Sequence, residues 1–380
     1  MESSDFISSI SSLSSLWAYM QSYDFIAFLL KLIFILIIGP GLVPIMVWLE
    51  RRGSAMIQGR MGPNRVGPFG LLQALADVLK FFAKEPFVPG TANKFYYNLA
   101  PMIAAVAPLA AFAAIPFGGT VLFGEYETHL QLSNLNIGIL AALAFAGLEV
   151  YPIMLAGWAS NNKYAVLGAL RGASQMISYE IAMGLALIAM FLIYGTVDMN
   201  QMVAWQGESL IGILPRWGVF VNPLAAMIFL IGIFAETNRM PFDLPEGDAE
   251  LVAGYHVEYG ATKFAMFFFA EYVAMSMAAA LFVTLFLGGY GLLPGMETVA
   301  VYLSQVFHLE ALGLHNLKTF MGVGSFLMKL GFMLFFYIWV RWTVPRFRFD
   351  QLMNLGWRIL LPIGLINLVF TSIAIYLIGG

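Results

Sequence analysis

The chain has 380 residues, of which 60% are hydrophobic and 11% are charged, and it contains no cysteine. An ordinary soluble domain carries about 25% charged residues, so this composition excludes a soluble protein. The formal net charge of -3 lacks the basic excess that binds a phosphate backbone, and we expect no nucleic acid partner.

The first 22 residues are rich in serine and contain no Lys or Arg, which argues against a secretory signal or an organellar transit peptide. Their apolar side chains recur at helical spacing, at Phe6, Ile10, Leu13, Trp17 and Met20. This N-terminal segment, 1–22, is expected to be either a short interfacial helix or a frayed tail.

Eight segments are long and apolar enough to cross about 30 Å of hydrocarbon, which takes about 20 residues of helix. They are Asp24–Leu49, Phe95–Phe117, Leu135–Trp158, Ala165–Tyr194, Trp217–Glu236, Lys263–Leu287, Phe320–Trp342 and Gly356–Ile378. In the first of them, Gly39, Pro40, Gly41 and Pro44 indicate either a kink or an unwound stretch. No repeat or long linker divides the chain, so we predict an all-α, polytopic membrane protein with one membrane domain, 1–380.

Basic residues are distributed unevenly between the two sides of this layout. Of the nineteen Lys and Arg, only Arg216 and Lys318 fall on one side, and Lys31 and Lys329 lie within spans. All the others flank or occupy the odd-numbered connections. The positive-inside rule therefore predicts that these connections are cytoplasmic and that both termini are outside.

Four ionisable residues fall near the centres of predicted spans: Glu149, Glu180, Glu271 and Lys329. Each costs about 2.5 to 3.5 kcal/mol at the centre of a membrane helix, so each must face the interior, find a partner or be hydrated. One interpretation is a set of Lys–Glu salt bridges with one protonated Glu. The other is a line of charges and waters at a common depth that moves protons, and the shared depth favours it.

The first cytoplasmic loop, 50–94, is basic and rich in turns, and then becomes periodic. Apolar residues form one stripe, and polar or charged residues form the opposite face. The apolar stripe is Phe69, Leu72, Leu75, Leu79 and Phe82. This pattern predicts an amphipathic helix along the membrane interface.

The cytoplasmic loop 237–262 and its borders are acidic, although basic residues dominate this side elsewhere. The carboxylates are Glu236, Asp243, Glu246, Asp248, Glu250 and Glu258. Closely spaced carboxylates raise one another's pKa, which suits groups that load and release protons near neutrality. A merely solvated loop is the alternative.

Several redox and metal chemistries are excluded by the residue types present. His256-Val-Glu258 and His308-Leu-Glu310 have the His-x-Glu spacing of zinc deaminases, but the cysteine pair of those enzymes is absent. No histidine falls within a span to ligate a membrane haem, and no thiolate can hold an iron–sulfur cluster. Redox electrons must therefore come from a partner subunit.

Long stretches of both loops closely resemble the family of the H subunit of bacterial NADH:quinone oxidoreductase, respiratory complex I. The matching stretches are ERR…QGRMGPNRVGPFGLLQALADVLKFFAKE (Glu50–Glu85) and AETNRMPFDLPEGDAELVAGYHVEY (Ala235–Tyr259), with shorter ones at Gly157–Lys163, Leu170–Ile181 and Pro345–Met353. The mitochondrial counterpart of this family is NADH dehydrogenase subunit one. At position 248 this chain has Asp where the family usually has Glu, which leaves the role of that residue open.

The resemblance implies a multi-pass subunit of the bacterial inner membrane that forms the quinone-access chamber with the peripheral arm. It further implies that quinone reduction is coupled to proton translocation. Quinone would be the substrate, and FMN and iron–sulfur clusters would belong to partner subunits, with none bound by this chain. The implied quinone-binding residues are Glu50, Arg51, Arg60, Asp77, Arg239, Phe242, Arg346 and Arg348. The expected proton path comprises Glu149, Glu180, Glu236, Asp243, Glu246, Asp248, Glu250, Glu271 and Lys329.

Two other functions remain open from the sequence. One is the homologous membrane subunit of an energy-converting hydrogenase, which uses no quinone. The other is a stand-alone ion transporter, which would work when reconstituted alone.

Overall fold

The computed structural model describes residues 23–123, 126–211, 214–247, 252–308 and 310–379. The N-terminal segment, with its expected helix or tail, lies outside these ranges, and so do Asp248 and Glu250 of the acidic loop. The described part is mostly helical, which confirms the predicted fold class.

In chain order, the first helices are α1 (Tyr23–Ile57), α2 (Gln73–Ala83), α3 (Lys94–Phe112), α4 (Gly138–Gly147), α5 (Val150–Ala159) and α6 (Lys163–Tyr194). They are followed by α7 (Met199–Gln206), α8 (Gly218–Val221), α9 (Pro223–Glu236), α10 (Ala261–Phe286), α11 (Met296–Val306), α12 (Ala311–Thr343), α13 (Phe349–Asn354) and α14 (Leu361–Gly379). Single 3₁₀ turns occur at Pro68–Gly70 and Gly254–His256, and a π-helical turn, Leu355–Leu360, joins α13 to α14. Two antiparallel hairpins pair β1 (Thr120–Phe123) with β2 (Tyr126–His129) and β3 (Ser209–Ile211) with β4 (Leu214–Pro215).

Seven of the predicted spans are confirmed as apolar helices long enough to cross a bilayer. Five are the single helices α1, α3, α6, α10 and α12, while α4 with α5 and α13 with α14 form the other two. The prediction of one helix over Trp217–Glu236 is wrong. The chain breaks at Asn222 into α8 and the 14-residue α9. Pro223 at the start of α9 lacks the N–H that would continue the helix, and the Asn222 side chain instead caps the N–H of Ala225.

Helix α1 runs unbroken through Pro40 and Pro44, so the unwound alternative for this stretch is wrong. It also continues to Ile57, well past the predicted end at Leu49. Hydropathy locates where polar residues begin, whereas the helix itself needs only its backbone hydrogen bonds. This extension holds the buried Glu50 on the same rigid helix as the apolar span.

Small residues let the helices approach closely. Helix α6 packs against α5, α9 and α14, and α3 packs between α5 and α10. At Gly157 of α5, a Cβ would lie 2.4 Å from the Cβ of Ala169 in α6. Such contacts are typical of membrane helices, where close van der Waals packing replaces the hydrophobic effect as the driving force.

Four elements meet toward one boundary of the bundle. Glu50 comes from α1, Glu271 and Tyr272 from the first half of α10, and Arg341 from the last turn of α12. The fourth element is the segment after α9, which begins with a buried Arg239. This convergence builds the candidate site.

Candidate functional site

Glu50 is 6% exposed and is surrounded by three donors. The hydroxyl of Tyr272 donates to Glu50 Oε2 at 2.5 Å, and Arg341 forms an ion pair with Oε1. Arg239 Nη1 lies 3.7 Å from Oε2. An unpaired buried carboxylate is costly, so this partner set explains how Glu50 is accommodated at the end of an apolar helix.

Arg239 connects Glu50 to a second carboxylate. Its Nε lies 2.8 Å from Glu271 Oε1, and its guanidinium stacks on the ring of Tyr272 with 4.1 Å to the centroid. Burial alone lowers the pKa of Arg239, but the negative charges of Glu271 and Glu50 outweigh burial and raise it. Two cations and two carboxylates thus form a compensated group, which we call the Glu50 cluster: Glu50, Arg239, Glu271 and Arg341.

The acidic loop extends this cluster outward from the bundle. Asp243 Oδ2 accepts from Arg346 Nη2 at 2.9 Å, while Glu246 Oε1 lies 3.4 Å from His256 Nδ1. Burial raises the pKa of Asp243, although Arg346 opposes the effect. Burial raises the pKa of Glu246 well above its ordinary value, and the neighbouring charges of Glu271 and Asp243 raise it further. Both carboxyl groups are therefore closer to titrating near neutrality than free acids are.

Behind the loop, four glutamates line one small cavity of about 40 Å³. They come from different elements and are Glu149, Glu236, Glu246 and Glu271. Since one water needs about 10 to 15 Å³ of such space, the cavity has room for about three waters. We call it the acidic cavity. Within the described ranges, no three His, Asp or Glu side chains group as metal ligands would.

Glu149 reaches the acidic cavity because the third span is interrupted. Helix α4 ends at Gly147 and α5 begins at Val150, so Glu149 lies in the turn between them. Its Oε1 is buried and has no hydrogen-bond partner among the described atoms. A buried carboxyl oxygen in this position needs a hydrogen bond from a water molecule, or the carboxyl group must be protonated.

Glu180 lies beside the acidic cavity without lining it. It is exposed on α6 in the isolated chain, and its carboxylate contacts the space next to Gly147. Its charge acts on Glu236, so the two carboxylates are electrostatically connected. The structure therefore brings together those glutamates of the predicted proton path that it describes: Glu149, Glu180, Glu236, Glu246 and Glu271.

Lys329 is not part of this group. Its ammonium donates to the carbonyls of Gly289 and Gly291, at 2.9 and 2.8 Å, and lies over the ring of Trp217. Both carbonyls belong to the loop that follows α10, which ends at Phe286. At a rise of 1.5 Å per residue, Phe286 lies roughly 22 Å along the helix from Glu271. Lys329 thus holds a loop at the far end of α10, away from the common depth that we expected for it.

The remaining predicted quinone-site residues are spread around the Glu50 cluster. Arg51 Nη1 pairs with Asp77 Oδ2 at 2.5 Å and so ties α1 to the amphipathic helix α2. Phe242 is buried between Tyr179 and Phe347. Arg51, Arg60 and Arg348 are exposed. Arg60 Nε donates to Gln58 Oε1, and the backbone N–H of Arg348 donates to Gln351 Oε1.

The apolar stripe predicted in the loop 50–94 is presented outward. Phe69, Leu72, Leu75, Leu79 and Phe82 are each at least half exposed in this chain. Four of them lie on or next to α2, while Phe69 lies in the 3₁₀ turn before it. A surface of this kind requires lipid or another subunit against it.

Three site residues escaped the sequence analysis: Tyr272, Arg341 and His256. Arg341 counted only as a basic residue flanking a span, and Tyr272 is one of 16 tyrosines. The sequence did contain a signal for Arg341. An arginine in the last turn of a span lies at the same membrane boundary as Glu50, and a carboxylate at that boundary needs a nearby cation. Nothing in the sequence distinguished the tyrosine.

This geometry defines a class of protein: a polytopic helical membrane protein with a charge-compensated cluster at one boundary and an acidic cavity leading inward. The profile of the family described as NADH dehydrogenase matches residues 30–372. The chain belongs to this family.

Its relatives are similar along nearly their whole length. The H subunit of NADH-quinone oxidoreductase from Bdellovibrio bacteriovorus is 44% identical over 377 residues, covering 92% of this chain and 96% of the relative. The corresponding H subunit from Salinibacter ruber is 45% identical over 336 residues, covering 88% and 92%. NADH-quinone oxidoreductase subunit 8 of Rhodothermus marinus is 46% identical over 335 residues, with the same coverage.

Proposed function

We propose that this chain is the membrane subunit of a proton-pumping NADH:quinone oxidoreductase that forms the quinone-access chamber and couples quinone reduction to proton translocation. The observation that carries this proposal is the direct contact between the Glu50 cluster and the acidic cavity. Glu271 belongs to both. The names and the coverage of the relatives support the same assignment over the hydrogenase or lone-transporter alternatives.

The quinone chamber would lie at the boundary where α1, α2 and the acidic loop meet. A quinone has an apolar tail and a small polar head, and such ligands fit a mainly apolar site with a few placed polar groups. The outward apolar face of α2 offers the approach for the tail. The residues lining it would be those named from the family resemblance, the apolar Phe242 together with the polar Glu50, Arg51, Arg60, Asp77, Arg239, Arg346 and Arg348.

Reduction of a quinone to a quinol takes up two electrons and two protons. The acidic loop is placed to supply protons, because the pKa of Glu246 is raised and His256 lies beside it. A change of charge there would be felt by Glu271, then by Glu236 and Glu149 across the acidic cavity. Glu180 would continue the path beyond the cavity, and Asp243 would extend it outward. By the family resemblance, Asp248 and Glu250 would belong to the same path.

The chain would contribute no redox cofactor of its own. It has no cysteine to ligate an iron–sulfur cluster. By the family assignment, FMN and the clusters would belong to partner subunits of the peripheral arm. The further partners are the other membrane-arm subunits and the lipid bilayer. In the bacterial inner membrane, the loops 50–94 and 237–262 would face the cytoplasm and both termini the outside.

Gentle purification through a tag on this chain tests the assembly. Flavin and iron–sulfur subunits should accompany the chain, and the preparation should reduce a quinone with NADH. Recovery with hydrogenase subunits, or ion transport by the chain reconstituted alone, would identify one of the alternative functions instead.

Replacement of Glu246 by Gln in the assembled enzyme tests the coupling. The variant keeps the shape of the side chain but cannot carry a proton, so quinone reduction or proton pumping should fall at least tenfold. Glu297→Gln is the matched control, because Glu297 is an exposed carboxylate whose partner is Lys318. Normal rates and normal pumping in Glu246→Gln would remove this residue from the path.

A further inference from the structure

A second cavity lies toward the opposite end of α1 from the Glu50 cluster. Its volume is about 300 Å³, within the range of small-molecule pockets. Its wall is almost wholly apolar, and the side chains that shape it include Phe34, Ile35, Phe117, Val121, Leu130 and Val323. Lys31 lines this cavity and lies on the same helix as Glu50, roughly 28 Å away at 1.5 Å per residue. The cavity and the Glu50 cluster therefore lie near opposite boundaries of the hydrocarbon.

This apolar cavity adjoins a polar one of about 240 Å³. Lys31 lines both cavities. The polar side is formed by the start of α1, by strand β2 and by the segment that follows β2, and its lining includes Asp24, Tyr126, Glu127, His129 and Asn134. Together the two cavities form one amphipathic site, apolar inside and charged at its mouth, which we call the α1 lipid site.

The charges at the mouth are of both signs. Within the described part of the chain, Lys31 makes no ion pair or hydrogen bond, and the charge acting on it is that of Asp24. Asp24 accepts from the hydroxyl of Tyr126 at 2.8 Å, which fixes the carboxylate at the rim. Glu127 adds a second carboxylate on the same side. A ligand that complements this arrangement carries an anion next to a cation.

A lysine near a helix end also snorkels to the interface without binding anything. Snorkelling accounts for the position of Lys31, but it does not account for the apolar cavity that Lys31 lines, nor for the Asp24 and Glu127 carboxylates at the mouth of that cavity. The hairpin also closes over the cavity, because the Asn316 side chain of α12 bonds both the N–H and the carbonyl of Leu122 in β1.

We infer that the α1 lipid site binds one phospholipid with a primary ammonium headgroup, with its phosphate at Lys31, its ammonium at Asp24 and Glu127, and part of an acyl chain in the apolar cavity. A quinone lacks the charges that the mouth complements. The bound lipid fills the space between α1, the β1–β2 hairpin and α12. This site is separate from the proposed quinone chamber, and its occupation does not depend on quinone chemistry.

Lipid retention tests the inference on the protein purified with its accompanying subunits. The protein is reconstituted in nanodiscs that contain equal amounts of phosphatidylethanolamine, phosphatidylglycerol and phosphatidylcholine. It is then re-extracted in mild detergent, and its bound lipids are counted by mass spectrometry. Wild type and Lys31→Arg should retain one phosphatidylethanolamine more per complex than Lys31→Gln. Val323→Phe, which fills the apolar cavity, should lose the same lipid.

Met328→Phe is the matched control for the added ring, because Met328 lies on the same helix but is exposed and lines neither cavity. It should retain the lipid as wild type does. Equal retention in wild type, Lys31→Gln and Val323→Phe would overturn the site, and so would crosslinks that place residues 1–22 or a quinone in the cavity. Retention of phosphatidylglycerol or phosphatidylcholine in place of phosphatidylethanolamine would overturn the assigned headgroup.

Discussion

Removal of the Arg239 guanidinium, as Arg239→Met, should strongly destabilise the assembled subunit. At an effective dielectric constant of 20, unit charges 2.8 Å apart, the separation of Arg239 and Glu271, attract by roughly 6 kcal/mol. Desolvation of the two ions offsets much of this, and breaking one partner of a buried pair costs about 3 to 5 kcal/mol overall. If the pair is broken before the barrier to dissociation, each 1.36 kcal/mol is a factor of ten in rate, which gives roughly 150- to 5,000-fold in total.

The assay is the fraction of this subunit that remains in the intact complex on native gels after heating for increasing times. Arg239→Met should accelerate the loss by the factor above, and Arg239→Met with Glu271→Met should recover much of it, because no carboxylate is then left unpaired. The control is Lys318→Met, which breaks an exposed pair with Glu297 at 2.9 Å and should change the rate at most about fivefold. Equal effects of Arg239→Met and Lys318→Met would refute the argument that burial makes this pair important.

Three further predictions rest on other parts of the structure. Lys329→Met removes two charge-assisted hydrogen bonds to loop carbonyls, each worth about 1.5 to 3 kcal/mol, and should accelerate the same heat-induced loss at least tenfold while leaving the proton-to-NADH ratio of the surviving enzyme unchanged. Gly254→Ala should abolish recovery of the subunit in membranes, since its Cβ would lie 1.5 Å from the carbonyl of Pro245, whereas Gly184→Ala has open space and should be recovered normally. Burial raises the pKa of Glu246 above its unfolded value, so the stability that its protonated form contributes is present at low pH and declines as the pH rises. Glu246→Gln cannot lose a proton at this position, so it should lose less heat stability than wild type when the pH is raised. An identical dependence of heat stability on pH in the two proteins would contradict this.

Hydropathy predicted the membrane spans because transfer to hydrocarbon requires long apolar segments whatever the packing. It could not predict where helices end. Glu50 is polar by composition, yet it is buried on α1 because Tyr272, Arg341 and Arg239 reach it from elsewhere in the chain. The break at Asn222 has local causes, a proline and a capping side chain, that a window average removes.

The site was predictable where a signal was local and unpredictable where it depended on the fold. The acidic loop and the intramembrane glutamates stood out by residue type, and the structure brings Glu149, Glu236 and Glu271 to one cavity. The pairing of Arg341 with Glu50 joins residues far apart in sequence, so no spacing rule could find it. Lys329 looked like an intramembrane charge of the same kind, but the loop carbonyls that bind it are contributed by tertiary structure.

The central claim is that the carboxyl groups of the acidic cavity change state when quinone is reduced. Redox-triggered infrared difference spectroscopy of the assembled enzyme measures this directly, because protonation of a carboxylate changes its carbonyl absorption. Wild type should show a carboxyl band on quinone reduction, and Glu246→Gln should lose part of that band while Glu297→Gln keeps it. Identical spectra in all three proteins would contradict the account.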